Sequence, residues 1–106
     1  MRWRFVDGGL PVPDLQVRVS AEGRLRYLDT GWHEQRVGAE FDGVEAHMTA
    51  QQLRDDRTRH NWLTQEGWTL LHFTAIDVYR GYREMVATAA RALGIPVPDA
   101  IMKYGK

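Results

Sequence analysis

Cysteine is absent from the 106-residue chain, which excludes disulfides, thiolate metal sites and cysteine nucleophiles. A reducing cytoplasm fits that composition. No apolar run approaches the ~20 residues that a membrane span needs, and Met1-Arg-Trp-Arg-Phe opens without the apolar core of a secretion signal. No membrane partner is therefore expected. Net charge is lacking as well, since 14 basic side chains offset 14 acidic ones. Proteins that coat nucleic acid without regard to sequence usually have a pI above ~9, so that class is disfavoured. Lysine is almost missing: both copies fall in the last four residues, and every other base is Arg. Arg is the better planar fork for phosphate, although GC-rich codon usage yields the same excess. There is no internal repeat, low-complexity stretch or Pro/Gly/Ser linker in the body of the chain.

What is present is ordinary globular composition, with 43% hydrophobic and 26% charged residues, at the length of a single domain. Residues 1–7 read as the end of a helix that begins upstream of Met1, and Gly8-Gly9 break it. Leu15-Gln-Val-Arg-Val-Ser alternates apolar and polar side chains, the pattern of a half-buried strand. A hairpin follows, with arms at 24–30 and 36–43 around Gly31-Trp-His-Glu-Gln. Thr49 is the expected N-cap of a helix over 50–66, Gln52 completes a capping box, and Gly67 is the stop. A short apolar strand over 68–74 comes next. A last helix then runs from Asp77 or Val78 to Gly94, with Tyr79, Tyr82, Met85, Val86, Ala89 and Leu93 on one face. Residues 1–94 form the expected domain, and the Pro-bearing segment 95–106 reads as a loosely ordered tail. Trp62, Trp68 and Phe73 read as core, with Trp32 in the turn a partial exception.

Three acids on the hairpin carry the chemistry. With the hairpin symmetric about His33–Glu34, Asp29 faces Gly38 directly and Glu40 diagonally, while Glu40 and Asp42, two residues apart, share a face. Gly38 then leaves the space between the carboxylates empty. Like charges that close are unfavourable unless one is protonated or a cation joins them, and a hard ion such as Mg²⁺ or Mn²⁺ suits oxygen ligands. A solvated strand face on which acids are harmless is the competing reading. On the helix, Leu53, Asp56, His60 and Leu63 form the expected inward stripe, with Arg57 and Asn61 beside it. Asp56 and Arg57 also read as a structural pair tying helix to sheet. His47, between the acid strand and the helix cap, is within reach of a phosphate or water near the acids. His33 and His72 receive no role.

The stretches "RYLDTGWHEQRVGAEFDGVEAH" and "LRDDRTRHNWLTQEGWTLLHFT" resemble a bacterial domain-of-unknown-function family related to the very-short-patch-repair endonucleases, within the PD-(D/E)XK superfamily. The family pattern is an acid after a strand, a "W-P-E" turn, an "E-x-D-G" strand with a nearby His, a helix "F-x-x-D-x-x-R-x-N-x-L", and "G-W-x-V-L-R-F-T". The resemblance covers residues 12–93. It implies a restriction-endonuclease-like α/β fold: a central mixed sheet of about four strands, three in an antiparallel meander, flanked by helices. Asp29 takes the first catalytic acid position, Glu40 the second, and Asp42 the place where the superfamily usually has Lys. Gly43 and His47 match the "D-G-x-x-x-H" variant. Asp56, Arg59, Asn61 and Leu63 match the helix, with Leu53 for Phe. His33 replaces the turn Pro and His72 the usual Arg. Relatives have a full first helix with a supporting Glu, and by the resemblance this sequence is expected to start inside that helix.

The resemblance implies hydrolysis of DNA phosphodiester bonds with Mg²⁺ or Mn²⁺ held by Asp29, Glu40, Asp42 and the Phe41 carbonyl. Asp42 could also accept a proton, His47 or Arg59 could stabilise the developing phosphorane charge, and Arg54, Arg57 and Arg59 would hold the DNA backbone. The alternative is a nuclease fold without catalysis that binds nucleic acid or a regulatory, antitoxin-type protein partner. A third reading is a fragment with no activity of its own.

Overall fold

The computed structural model describes residues 1–43 and 49–102. Its elements in chain order are α1 (Arg2–Asp7), β1 (Asp14–Ala21), β2 (Arg24–Trp32), β3 (Val37–Phe41), α2 (Ala50–Gln65), β4 (Thr69–Phe73), α3 (Ala75–Tyr79), α4 (Tyr82–Leu93) and α5 (Asp99–Met102). The strands form one sheet in the order β1-β2-β3-β4. β1, β2 and β3 are an antiparallel meander, and β4 pairs parallel to β3 after α2 carries the chain across. The expected mixed four-stranded α/β sheet is therefore present. Among the described residues no helix is long and apolar enough to cross a membrane.

Alternation along β3 divides the interior into two cores. Val37 and Ala39 point into the larger one with Phe5, Trp32, Phe73 and the buried face of α4, which supplies Met85, Val86, Ala87, Ala89, Ala90 and Leu93. Phe5 is fully buried, with its ring centroid 5.1 Å from Trp32 and 6.1 Å from Phe73. Trp32 is thus core, and its indole N–H donates to the Pro11 carbonyl at 2.7 Å. Gly38 points the other way, into a smaller core of Val17, Val19, Leu28, Trp62, Leu63 and Trp68 with Leu70 against it. A Cβ on Gly38 would lie 2.6 Å from Leu28 Cδ1 and 3.2 Å from Leu70 Cδ2. The space over Gly38, expected to lie empty between acids, is filled by leucine.

Local sequence signals set most element ends. Thr49 caps α2: its hydroxyl accepts from the Gln52 N–H at 3.0 Å and the Gln52 side chain accepts from the Thr49 N–H at 2.9 Å. Gly67, at φ +88°, turns the chain out of α2 as expected. The last helix differs from expectation, because Arg80 and Gly81 break it into α3 and α4. The tail differs too: α5 forms, Ile101 is buried, and Ile95 and Val97 pack against the larger core. Apolar side chains spaced along 95–101 gain more by covering that core than the prolines cost in regularity.

The hairpin register also departs from expectation. Observed partners are Thr30↔Ala39, Gly31↔Gly38 and Trp32↔Val37, so pairing runs up to Trp32 and the turn is His33 to Arg36. Arg36 adopts φ +55° and its N–H donates to the His33 carbonyl at 3.2 Å, closing a turn centred one residue later than symmetry about His33–Glu34. Asp29 is thereby carried from opposite Gly38 to a place level with Glu40.

Candidate functional site

The three acids sit where β2 and β3 part. The β2–β3 ladder ends at Thr30↔Ala39, and the β1–β2 ladder passes from Leu15↔Thr30 to Val17↔Leu28, leaving out Asp29 and the residue facing it, Gln16. Gln16 holds φ +50°, a conformation uncommon for a residue with a Cβ, and the ladder is interrupted there. Freed from regular pairing, Asp29 turns its carboxylate across to β3, where Oδ2 accepts the Phe41 N–H at 3.1 Å. It stays exposed to solvent.

Glu40 is held differently. Arg59, from the middle of α2, donates through Nη1 and Nη2 to its two oxygens at 3.0 and 2.6 Å, and through Nη2 to the Tyr27 carbonyl at 2.8 Å. One guanidinium therefore binds α2 to β2 and β3 together. The pair is largely shielded, with side-chain exposures of 21% for Arg59 and 12% for Glu40. The Glu40 hydrogen bonds raise the Arg59 pKa above its ordinary value; partial burial opposes this, and the negative fields of Glu40, Asp56 and Asp29 add to it. A cation does bind Glu40, and this chain supplies it; Asp29 and Asp42 bond elsewhere, so the three carboxylates do not form the expected common metal pocket among the described residues.

Asp42 follows β3. Its N–H donates to the Phe73 carbonyl at 2.8 Å, prolonging the β3–β4 pairing by one residue. Its Oδ1 lies 3.3 Å from His72 Nδ1, and the His72 ring stacks on His60 of α2 at 5.6 Å between centroids. His60 lines an open depression of about 340 Å³ with Asp56, Arg57 and Asn61.

The inward stripe of α2 is not the expected one. Leu53 is 43% exposed and Asp56 is exposed, whereas Trp62 and Leu63 are buried and Arg59 is drawn in by Glu40. The first two turns stand off the sheet because the acid end of β3 offers them no apolar surface. Of the Arg residues expected to contact DNA, Arg59 is bound to Glu40, Arg54 donates to Gln51 Oε1 at 2.9 Å, and Arg57 is exposed on the open side of the helix. His47 lies outside the described residues. Sequence reasoning missed the Arg59–Glu40 pair and the His72–Asp42 contact. A usable signal existed for His72, since strand parity puts it on the face of Leu70 and, in the parallel register, beside Glu40.

The chain is 33% identical over 90 residues to two Mycobacterium tuberculosis proteins, "Uncharacterized protein MT2308" and "Uncharacterized protein Rv2248". The match takes in 84% of this chain and 33% of each relative, so the chain spans about a third of the length of the curated relatives it matches. No protein-family model matches it. No solved structure matches it either.

Proposed function

We propose that the acid end of β3 hydrolyses DNA phosphodiester bonds with the help of Mg²⁺ or Mn²⁺, on a restriction-endonuclease-like scaffold related to the very-short-patch-repair enzymes. The observation that carries this reading is the meeting of Asp29, Glu40 and the Arg59 guanidinium at the point where β2 and β3 separate.

The donor set fits a hard divalent ion in kind, since all of its ligand atoms are oxygens. Mg²⁺ is commonly bound by one or two carboxylates, with waters and substrate phosphate completing its shell. No group of three His, Cys, Asp or Glu side chains able to hold a metal occurs among the described residues, so the fit is to that sparse kind of site. Asp29 and Asp42 are exposed and available. Glu40 uses one lone pair on each oxygen for Arg59 and retains another on each. The resemblance adds the Phe41 carbonyl.

A divalent ion held by Asp29, Glu40 and Asp42 would supply polarisation of the scissile phosphate and a lower pKa for an attacking water. The chain's own groups do the rest. The Phe41 N–H fixes Asp29, and Arg59 fixes Glu40 while placing positive charge where the phosphorane becomes more negative. Asp42, which contacts His72, would take the proton that the attacking water gives up. Arg54 and Arg57, on the exposed half of α2, would hold backbone phosphates, which position a duplex without reading its sequence. His47 keeps the phosphate-contact role that the resemblance implies.

Asp29→Asn should reduce Mn²⁺-dependent DNA cleavage by more than the ~10–100-fold that loss of an outer-shell partner costs a metal site. Full activity in that variant would remove Asp29 from the mechanism.

The engagement of both Glu40 oxygens by Arg59 favours a second reading, a nuclease fold that binds nucleic acid or an antitoxin-type protein without cutting. Calorimetric titration with Mn²⁺ separates the two. A saturable heat that disappears in Asp29→Asn supports the hydrolase, and no heat in either protein supports the binding module.

A further inference from the structure

We propose that α1, α3 and α4 form a track for single-stranded nucleic acid, on which unpaired bases stack against Trp3 and Tyr79 while phosphates follow Arg80, Arg83 and Arg91. This rests on the reading that the substrate is DNA, and adds how an unpaired part of it is held.

A ladder of rings and guanidinium groups carries the proposal. The Tyr79 and Trp3 centroids are 6.0 Å apart. The Arg4 guanidinium lies 5.4 Å from the Trp3 ring and 4.0 Å from Tyr82, and Arg83 lies 5.1 Å from the same Tyr82 ring. Arg4 is fixed by donating to the Val78 carbonyl at 2.8 Å, so the ladder is anchored to α3. Its outer rings are open to solvent: Trp3 is 42% and Tyr79 64% exposed, whereas Trp32, Trp62 and Trp68 are all buried. A fixed ring with a free face suits any unpaired base, because every base has a π-face.

Positive charge continues from the rings. An open cleft of about 450 Å³ is lined by Arg80, Gly81, Arg83, Glu84 and Arg91 among others. Residues 1–7 and 75–93, which hold α1, α3 and α4, carry five Arg against Asp7, Asp77 and Glu84, in a chain of zero net charge. Glu84 pairs with Arg91 at 2.8 Å with both side chains more than half exposed, and such a pair exchanges readily for phosphate. A groove of this charge beside stacking rings is the usual equipment for binding a single strand.

The track starts at the strand ends that carry the acids, on the α4 face of the sheet, opposite α2. Asp42 donates its N–H to Phe73, and α3 begins two residues later at Ala75. From there Tyr79 is only roughly 6 Å further along the helix. Ile76 at 70% and Val6 at 38% exposure widen the apolar part of the patch, as a protein partner would also require. The excess of Arg favours nucleic acid, and a second copy of the chain is an outcome of the test.

The test is fluorescence anisotropy of a labelled single-stranded oligonucleotide and the matching duplex, in EDTA, with sedimentation of each protein alone. The wild type should prefer the single strand. Tyr79→Ala should weaken that binding about five-fold or more while Tyr79→Phe, which keeps the ring, binds like the wild type. Single strand should quench intrinsic tryptophan fluorescence, and Trp3→Phe should lose most of the quench because the other indoles are buried. Wild-type affinity in Tyr79→Ala overturns the proposal, as does a Tyr79→Phe variant as weak as Tyr79→Ala. A wild-type dimer that Tyr79→Ala dissociates, with oligonucleotide binding unchanged, overturns it in favour of a second copy. Ring-dependent binding without cleavage under any divalent ion keeps the track and removes the hydrolase. Cleavage lost in Asp29→Asn, with Tyr79→Ala binding normally, does the reverse.

Discussion

Helices α2 and α4 cover opposite faces of the same sheet and are held there by different means. α4 buries six of its twelve residues, all apolar, against β3, β4 and α1. α2 has sixteen residues and buries Trp62 and Leu63 near its C-terminal end; the Arg59–Glu40 pair and the stack of His60 on His72 anchor it further. One side of the molecule is fastened by area, which is non-directional and proportional to burial. The other is fastened by a few directed contacts, and it is the side with the acids. A helix that stands off the sheet for its first turns leaves Arg54, Arg57 and Asp56 facing outward, and Asp29 and Asp42 are exposed beside it.

The sharpest way to break this contrast is to place the same charge on both helices. Val86→Asp puts an unpaired carboxylate in a fully buried position and should cost ~4 kcal/mol or more, enough to abolish a cooperative urea transition in a domain this small. Arg59→Ala comes next. It strands a mostly shielded Glu40 carboxylate, and its cost should fall between that of an exposed pair and a buried one, about 1–3 kcal/mol. A double-mutant cycle with Glu40→Gln should give a coupling of about 0.5–3 kcal/mol; additivity within error would mean that the pair does not hold α2. The raised Arg59 pKa means its contribution is complete below the ordinary arginine value and is lost only as pH climbs through the higher folded value. The coupling should therefore be level from neutral to about pH 10.

Smaller effects sharpen the picture. Thr49→Ala removes the cap of α2 and should lower the urea midpoint by an amount equivalent to ~1 kcal/mol. Leu53→Asp, the counterpart of Val86→Asp on the half-free helix, should change stability by no more than ~0.5 kcal/mol. A large loss there would show that the first turns of α2 are packed after all.

Features written in neighbouring residues were legible in the sequence. The Thr49–Gln52 box, the stop at Gly67, the alternation of β3 and that of β1 from Val17 onward are local, and the structure has each of them, while Leu15, before the interruption at Gln16, is exposed. The turn of the hairpin was not, because it depends on Arg36 taking a positive φ that its side chain gives no reason to expect. That single turn moved Asp29 level with Glu40. The partner of Glu40 lies 19 residues away and reads in the sequence as a phosphate contact, since an Arg on a polar helix face looks the same whether it meets DNA or a carboxylate. The helical stripe through Leu53 failed for a related reason. Periodicity describes a helix packed along its whole length, and α2 is packed along only part of it.

The most direct measurement is the conversion of supercoiled plasmid to nicked or linear DNA, with Mn²⁺ and with EDTA, by wild type and by a Glu40→Gln variant shown to fold. Mn²⁺-dependent cleavage is expected from the wild type, and none above background from the variant. Equal cleavage by both proteins, or none by a wild type that is folded and loaded with Mn²⁺, would contradict the proposed hydrolysis.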